Sequence, residues 1–390
     1  MSHNFNIMVI EHKKIAIVGG GPGGLTLARL LQMKGADVKV YERDVHKNVR
    51  VQGATLDLHE ESGLEALRRA GLMEGFTANY RPDAGKLKIL DRDFKVYLDE
   101  HSLLNSHSED RPEIDRAPLR KILLESLQPD TVVWDSHFIS MEKKDNGWLL
   151  HCKNNKSYYA DLVIGADGAR SKIRPYLTGI QPIYSGVTMV EGNIANAEVN
   201  APEIFKWVNG GKIFALDESK SLLLSIKGDG TLTFYTGCNA DENWVRESGI
   251  DFSKREQVFE WFKNEFHTWD ERWDELFESE NVVIIPRPQY HYPLNQGWET
   301  QPDLTLLGDA AHVMPPYAGE GVNMAMQDAF ELAECLTDQK FNTMKEALEQ
   351  YEKNMLTRAS EMTAATLDNT NLMHAEGAVD HLLKMFSGEH

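Results

Sequence analysis

Cysteine is scarce: Cys152, Cys238 and Cys335 are the only three in 390 residues. They lie far apart and form no Cys-x-x-Cys pair or metal-spaced cluster. Their odd number points to free buried thiols in a reducing compartment. No run of about 18 apolar residues exists, which excludes a transmembrane helix. Residues 7–10 form a short apolar patch without the longer core or cleavage site of a secretory signal, so a cytoplasmic protein is expected. Positive charge is also in deficit, with 41 Lys and Arg against 60 Asp and Glu, a formal charge of −19. Such a balance excludes nucleic acid as the main partner and disfavours an anionic membrane surface. An anionic cofactor held by a few local cations and a helix N-terminus remains open. Internal repeats and low-complexity tracts are absent.

What is present is ordinary for a soluble globular protein: 42% hydrophobic and 26% charged residues. At roughly 100–200 residues per domain, the length suggests two or three domains. Lys14 to Val18 reads as a buried parallel strand, Leu25 to Lys34 as a helix capped by Gly35, and Val38 to Tyr41 as the next strand. Further helices are expected at Leu64 to Ala70, Ile114 to Leu127, 253–279, Asn323 to Leu336, Met344 to Thr366 and about 376–386. Leu162 to Gly165 and Leu304 to Leu307 read as buried strands. Residues 183–237 contain five β-rich runs, with turn signals at Asn209-Gly210-Gly211 and Gly228-Asp229-Gly230, which suggests an antiparallel sheet.

Three constellations carry chemistry. The first is Gly19-x-Gly21-x-x-Gly24 between a strand and a helix. Gly19 permits a tight turn, Gly21 lets the backbone approach a pyrophosphate, and Gly24 lets the helix pack on the strand. Glu42 ends the second strand, where an acid binds a ribose hydroxyl; this favours FAD or NAD over NADP. The second is Gly308-Asp309 at a strand end, followed by Gly319-Glu320-Gly321-Val322-Asn323. Asp309 can accept a hydrogen bond from a ribityl or ribose hydroxyl. The helix N-terminus at Asn323 suits the N1–O2 edge of a flavin. The third is Asp161-Leu-Val-Ile-Gly-Ala-Asp167-Gly168-Ala-Arg170-Ser171-x-x-Arg174, again an acid and a glycine at a strand end.

In this order and spacing the motifs resemble the single-component flavin aromatic hydroxylases with the para-hydroxybenzoate hydroxylase fold. Residues 50–59, 112–120 and 308–323 resemble more closely the tetracycline-inactivating flavin monooxygenases. The resemblance implies an α/β FAD-binding domain with a parallel sheet, an α+β substrate domain with an antiparallel sheet, and a C-terminal bridging helix. The implied partition is 1–76, 111–180 and 281–343 for the FAD domain, 77–110 and 181–280 for the substrate domain, and 344–390 for the C-terminal helical segment. It implies Glu42, Arg43, Asp57, Arg116 and Asp309 as FAD contacts, joined by Gly19, Gly21, Gly24, Arg120, Gly319, Gly321 and Asn323, with Arg50 for NADPH. Pro316, Gly319, Leu224 and Met373 would line the substrate. Glu191, Lys212 and Thr233 stand where the family uses Gln, Arg and His to hold the polar ring of tetracycline. The flavin performs the chemistry, so no side chain is assigned as catalytic. The chain has no second Gly-x-Gly-x-x-Gly, so NADPH would dock transiently.

The expected activity is hydroxylation of tetracyclines through a flavin C4a-hydroperoxide, with O2 as co-substrate, in a monomer without metal. Two alternatives stand beside it. One is a flavin hydroxylase of another phenolic or polyketide metabolite. The other is a non-catalytic FAD- or ligand-binding protein. Several residues have plainer readings: His312 as a packed histidine, Met373 as helix packing, and Trp261, Phe262, Phe266, Trp269 and Trp273 as core. The acidic run 270–280 reads as a solvated face. Tyr290, His291 and Tyr292 form an aromatic strand that is as easily structural as pocket-lining.

Overall fold

The computed structural model describes residues 8–49, 54–102 and 112–387. A five-stranded parallel sheet has the order Leu304–Leu306, Leu162–Gly165, Lys14–Val18, Asp37–Tyr41, Val132–Val133. Its central strands are short apolar runs because helices cover them. The helix Pro22–Met33 packs on the helix Gly321–Thr337. The approach is close: a Cβ at Gly23 would meet the Ala325 carbonyl at 2.7 Å. A three-stranded antiparallel sheet, Phe138–Lys144, Gly147–Cys152 and Ser157–Ala160, flanks this layer. All three cysteines are free and buried.

The second layer is a seven-stranded sheet. Its order is Val282–His291, Ile183–Ile194, Leu232–Asn239, Lys220–Ile226, Lys212–Asp217, Leu87–Leu90, Val96–Asp99. Period-two alternation splits its side chains between two faces. Val190, Ile213, Leu222, Leu224, Leu232 and Phe234 pack on one face against Phe262, Trp269, Trp273 and Phe277. The Trp/Phe-rich stretch is therefore core. Val187, Met189, Leu216 and Phe214 lie on the other face, against Tyr317 and Met373.

Three expectations change here. Four strands, not five, occupy residues 183–239, because Ala197–Asn200 and Pro202–Val208 are helical. Pro202 opens the second of these, where its missing N–H costs nothing. Asn209 then caps that helix in the left-handed region at φ 52°, so Asn209-Gly210-Gly211 ends a helix and is not a hairpin turn. Finally, Val282–His291, which the partition put at the head of the third FAD segment, is an edge strand of the seven-stranded sheet, paired with Ile183–Ile194.

The C-terminal bridge is longer than its periodicity predicts. Met344–Met373 is one 30-residue helix, opened by a capping box between Thr343 and Glu346. Glu352 accepts from Thr300 at 2.5 Å and Thr305 at 2.8 Å, and the Tyr351 hydroxyl donates to the Leu306 carbonyl at 2.9 Å. These bonds fix the helix to the parallel sheet. At its far end His374 reaches the other sheet, 3.2 Å from Ser221 Oγ and 3.3 Å from the Tyr317 hydroxyl. Among the described residues no helix is long and apolar enough to cross a membrane, and no His, Cys, Asp and Glu group could hold a metal ion.

Candidate functional site

The glycine cradle sits at the C-terminal ends of the parallel strands. Gly19 has φ +115°, and a Cβ there would lie 2.2 Å from the Ala166 carbonyl. A Cβ on Gly24 would lie 2.3 Å from the Gly19 carbonyl. Both glycines are thus required by backbone packing. Gly21 differs: no atom lies within 4 Å of its ideal Cβ. It is the N-cap of the helix Pro22–Met33, which has no side-chain cap and no acid in its first turn. An uncapped helix N-terminus beside open space is what a pyrophosphate requires. Glu42 is buried at the end of the next strand, accepting from Gly20 N at 2.6 Å and Asp44 N at 3.0 Å.

The second side of the cradle is Asp309. Its side chain is exposed, and the protein mass crowding it raises its carboxyl above the usual range, opposed by His312 and Arg116. Arg116 begins the helix Arg116–Glu125, exposed, with its Nε donating to the Ala54 carbonyl at 3.2 Å. Arg43 is exposed. Arg120 is not a solvated surface cation: it is buried and bonds the Asp44 carboxylate at 3.1 Å and the Lys47 carbonyl at 2.8 Å. Arg120 therefore braces the loop after Glu42. Arg50 lies outside the described residues. Asp167 caps its own turn through Lys172 N at 2.7 Å, leaving Oδ1 without a partner.

Gly319, at φ +71°, turns the chain into the helix Gly321–Thr337. Asn323 is fully buried. Its amide donates to the Asp57 carbonyl at 3.0 Å and accepts from His59 N at 2.9 Å. So Asn323 staples residues 57–59 to the helix start, and its side chain is spent on that. His59 stands 3.4 Å from Asp57 and 3.2 Å from Glu320. Hydrogen bonds to Asp57, then to Glu320, push its pKa up to about 10 against the opposing effect of burial. Beyond Asp57 comes Lys212, paired with the buried Glu113. Burial pushes the Glu113 carboxyl up, and Lys212 pulls against that. A raised folded pKa means the His59 contribution is complete below about 6.5 and is lost as pH rises through about 10. The expected result is a His59 imidazole still protonated at pH 8 by nitrogen-15 NMR. A neutral ring at that pH would contradict this.

On the site-facing side of the seven-stranded sheet, register builds two rows. Asn193, Thr233, Ser225 and Lys212 form one; Glu191, Tyr235, Leu223 and Phe214 form the next. Glu191 is buried, paired with Arg287, and accepts from Asn193 at 2.9 Å. Thr233 donates to Asn193 at 2.8 Å. Glu191, Lys212 and Thr233 thus share one face, and each is already bonded within the protein. Leu224 is a correction. It packs in the core on the opposite face, and Leu223 is the residue on the site side. Pro316 is exposed on the turn before Gly319, while Met373 is buried beneath it with Tyr317.

His312 is a packed histidine. Its Nε2 lies 2.6 Å from Asp328 Oδ2, which also accepts from Gly308 N at 2.8 Å, while Arg358 binds Oδ1 at 2.7 Å. Burial works against the charged imidazole, but Asp328 and Asp309 leave its pKa raised. Arg174 holds the same turn from the other side, bonding the Ala310 and Ala311 carbonyls at 3.2 and 2.8 Å and lying 3.5 Å over the Tyr292 ring. Tyr292 is therefore structural. Asp328, Arg358, Glu113, His59 and Arg287 escaped the sequence reading; Arg174 closed a motif already noticed.

This parallel-sheet cradle joined to an antiparallel sheet is the architecture of the FAD-binding hydroxylases of the para-hydroxybenzoate hydroxylase type, and the chain is an oxidoreductase of the flavin monooxygenase class. Residues 12–366 match the family described as FAD binding domain, and the chain belongs to that family. It is 28% identical to monooxygenase asqM of Emericella nidulans, covering 94% of this chain and 97% of that one. It is 26% identical to 6-hydroxynicotinate 3-monooxygenase of Pseudomonas fluorescens, covering 92% of each. It superposes on the crystal structure of the tetracycline destructase Tet(55) with a TM-score of 0.76 at 17% identity, covering 98% of this chain and 96% of that one. The cofactor is FAD, and the open Gly21 and uncapped helix are chemically suited to it. A non-catalytic binding protein is set aside by this class.

Proposed function

We propose that the protein is an FAD- and NADPH-dependent monooxygenase that hydroxylates, and so inactivates, tetracyclines or a closely similar polycyclic enol. The observation that carries the reading is the site-facing wall of the seven-stranded sheet. Phe214, Leu223 and Tyr235 form an apolar, aromatic surface bounded by Tyr317 and Met373, with polar groups only at its margins. A planar fused-ring substrate suits such a wall. The fold likeness to tetracycline destructases supports the same reading.

FAD, once reduced by NADPH, supplies the oxygen-inserting chemistry. The chain's own work is positioning. The N-terminus of the helix after Gly21 would hold the pyrophosphate, with Glu42 for the ribose and Arg43, Arg116 and Asp57 as further contacts. Asp309 would hold the ribityl chain, and the start of the helix Gly321–Thr337 would offer its positive end to the flavin's N1–O2 edge. Arg50 is proposed to meet the transient NADPH. The FAD-side segments, the substrate sheet and the C-terminal helix act as three parts of one site.

A second reading is hydroxylation of a smaller phenolic or heteroaromatic acid. One observation favours it: Lys212 is committed to the buried Glu113, which takes it from the role of holding a tetracycline ring oxygen. The relative that acts on 6-hydroxynicotinate agrees with it. The test is NADPH oxidation by the purified yellow protein. Tetracycline is expected to stimulate the rate about tenfold. Stimulation only by phenols or 6-hydroxynicotinate selects the second reading, and no stimulation by any of them contradicts both.

A further inference from the structure

We propose that Arg287 is the residue that reads the substrate's acidic edge, and that Glu191 positions Arg287 and does not itself contact the substrate. The proposal rests on the reading above and deepens it. Among the described residues, the sheet's own strands and turns bring three cations to its site-facing side, and two are committed. Lys212 is held by Glu113. Lys227 is buried and donates to Asn193 Oδ1 at 3.2 Å. Arg287 is different. Its Nε is bonded to the Glu191 carboxylate, and its two terminal amino groups have no acceptor among the described residues. Its side chain is 45% exposed while that of Glu191 is 2% exposed, so a buried anchor holds an accessible fork.

The backbone aims that fork. Arg287 lies directly opposite Met189, whose side chain packs with Tyr317 and Met373. Pro286 and Pro288 flank it, paired with Val190 and Thr188. Prolines are tolerated there because this is an edge strand, and they stiffen the chain on both sides of the arginine. Asn193 fixes the other Glu191 oxygen at 2.9 Å, so the carboxylate cannot rotate away. Glu191 lies directly opposite Tyr235 in the row of the aromatic wall, so the Arg287 it holds stands beside that wall.

A guanidinium tethered through Nε offers two parallel N–H donors. That pattern fits two oxygens on one plane: a β-diketone enolate, an enolised carboxamide or an aryl carboxylate. Lysine cannot reproduce it. The ligand class is therefore a planar ring anion with a paired-oxygen edge, laid on the Phe214–Leu223–Tyr235 wall with that edge toward Val282–His291.

The test uses FAD-loaded protein titrated with tetracycline and, separately, with 6-hydroxynicotinate, following the flavin absorbance. Removing Arg287 alone strands a buried carboxylate, so the informative variants are R287K, E191Q and the double variant E191Q/R287Q. R287K keeps the charge but loses the fork, and is expected to weaken binding about tenfold. The double variant is expected to weaken it about 10- to 100-fold. E191Q keeps one acceptor oxygen for Nε but turns its amino group on the Asn193 amide, so it is expected to weaken binding about threefold to tenfold, less than the double variant, with FAD content unchanged in all three. Binding within about threefold of wild type in both R287K and the double variant overturns the proposal. Wild-type binding of 6-hydroxynicotinate but not tetracycline, lost in the double variant, upholds Arg287 and removes the tetracycline reading. Wild type that binds neither probe overturns both.

Discussion

Gly21→Ala is expected to yield a folded but colourless protein. The added methyl meets nothing within 4 Å inside the protein, and the backbone at φ −79° and ψ 176° suits any residue. Its stability cost is that of a weaker N-cap, about 1 kcal/mol or less. The methyl instead enters the space in front of the uncapped helix, where the pyrophosphate backbone must approach. FAD affinity should fall at least about tenfold, read as flavin-to-protein absorbance after gel filtration. Gly19→Ala is the contrast. A Cβ 2.2 Å from the Ala166 carbonyl at φ +115° should damage folding itself. Gly21→Ala protein that keeps full flavin would refute the assigned role of that glycine.

Asp328→Ala should be the most destabilising single substitution in the FAD half. Asp328 is fully buried and serves His312, Arg358 and Gly308 N together. Its removal strands the buried His312 imidazole and the Gly308 amide and leaves Arg358 with Glu331 as its carboxylate, a loss of about 3–5 kcal/mol. Burial alone would raise the Asp328 carboxyl, but His312, Arg358 and Gly308 N hold it below the usual range. That contribution is present above about pH 3.9 and disappears as pH falls through the lowered value. The His312 contribution has the opposite sign: it is complete below about pH 6.5 and is lost as pH rises through the raised value. Both are whole between these limits, so urea unfolding across pH should show the largest gap between wild type and variant there. A gap that does not change with pH would contradict the charged pair. Flavin should be lost in parallel, since Asp328 anchors Gly308, the residue before Asp309.

The cofactor cradle was legible in the sequence for a physical reason. Where backbone or helix must touch a strand only glycine is admitted, as at Gly19 and Gly24, and Gly21 stands where the backbone would approach a phosphate. The buried parallel strands were legible as short apolar runs, while their order in the sheet came from the fold. The substrate wall was less legible. Leu223 and Leu224 are chemically alike, and only register decides which faces the site; one residue of offset exchanges the faces. The Glu191–Arg287 pair joins residues 96 apart, through an edge strand whose register shifts between Tyr184 and Thr188. No local pattern announces such a contact. The hairpin at Glu218 and Ser219 was hidden too, because two non-glycine residues take its left-handed positions, at φ 48° and 61°. His312 was legible as packing, but its partners, Asp328 and Arg358, come from two helices that only the fold brings together.

The excess negative charge also finds its place. Arg43 and Arg116 stand exposed near the cradle, while Asp270, Glu271 and Glu278 belong to the outer segment that packs behind the sheet. An anionic cofactor would therefore meet local cations in a chain whose net charge is −19.

One measurement bears most directly on the account. FAD-loaded protein is incubated with NADPH, tetracycline and isotopically labelled O2, and the product is weighed by mass spectrometry. The account predicts a tetracycline carrying one labelled oxygen atom, formed in step with NADPH consumed. NADPH oxidation that yields only hydrogen peroxide, with unlabelled tetracycline recovered intact, would contradict it.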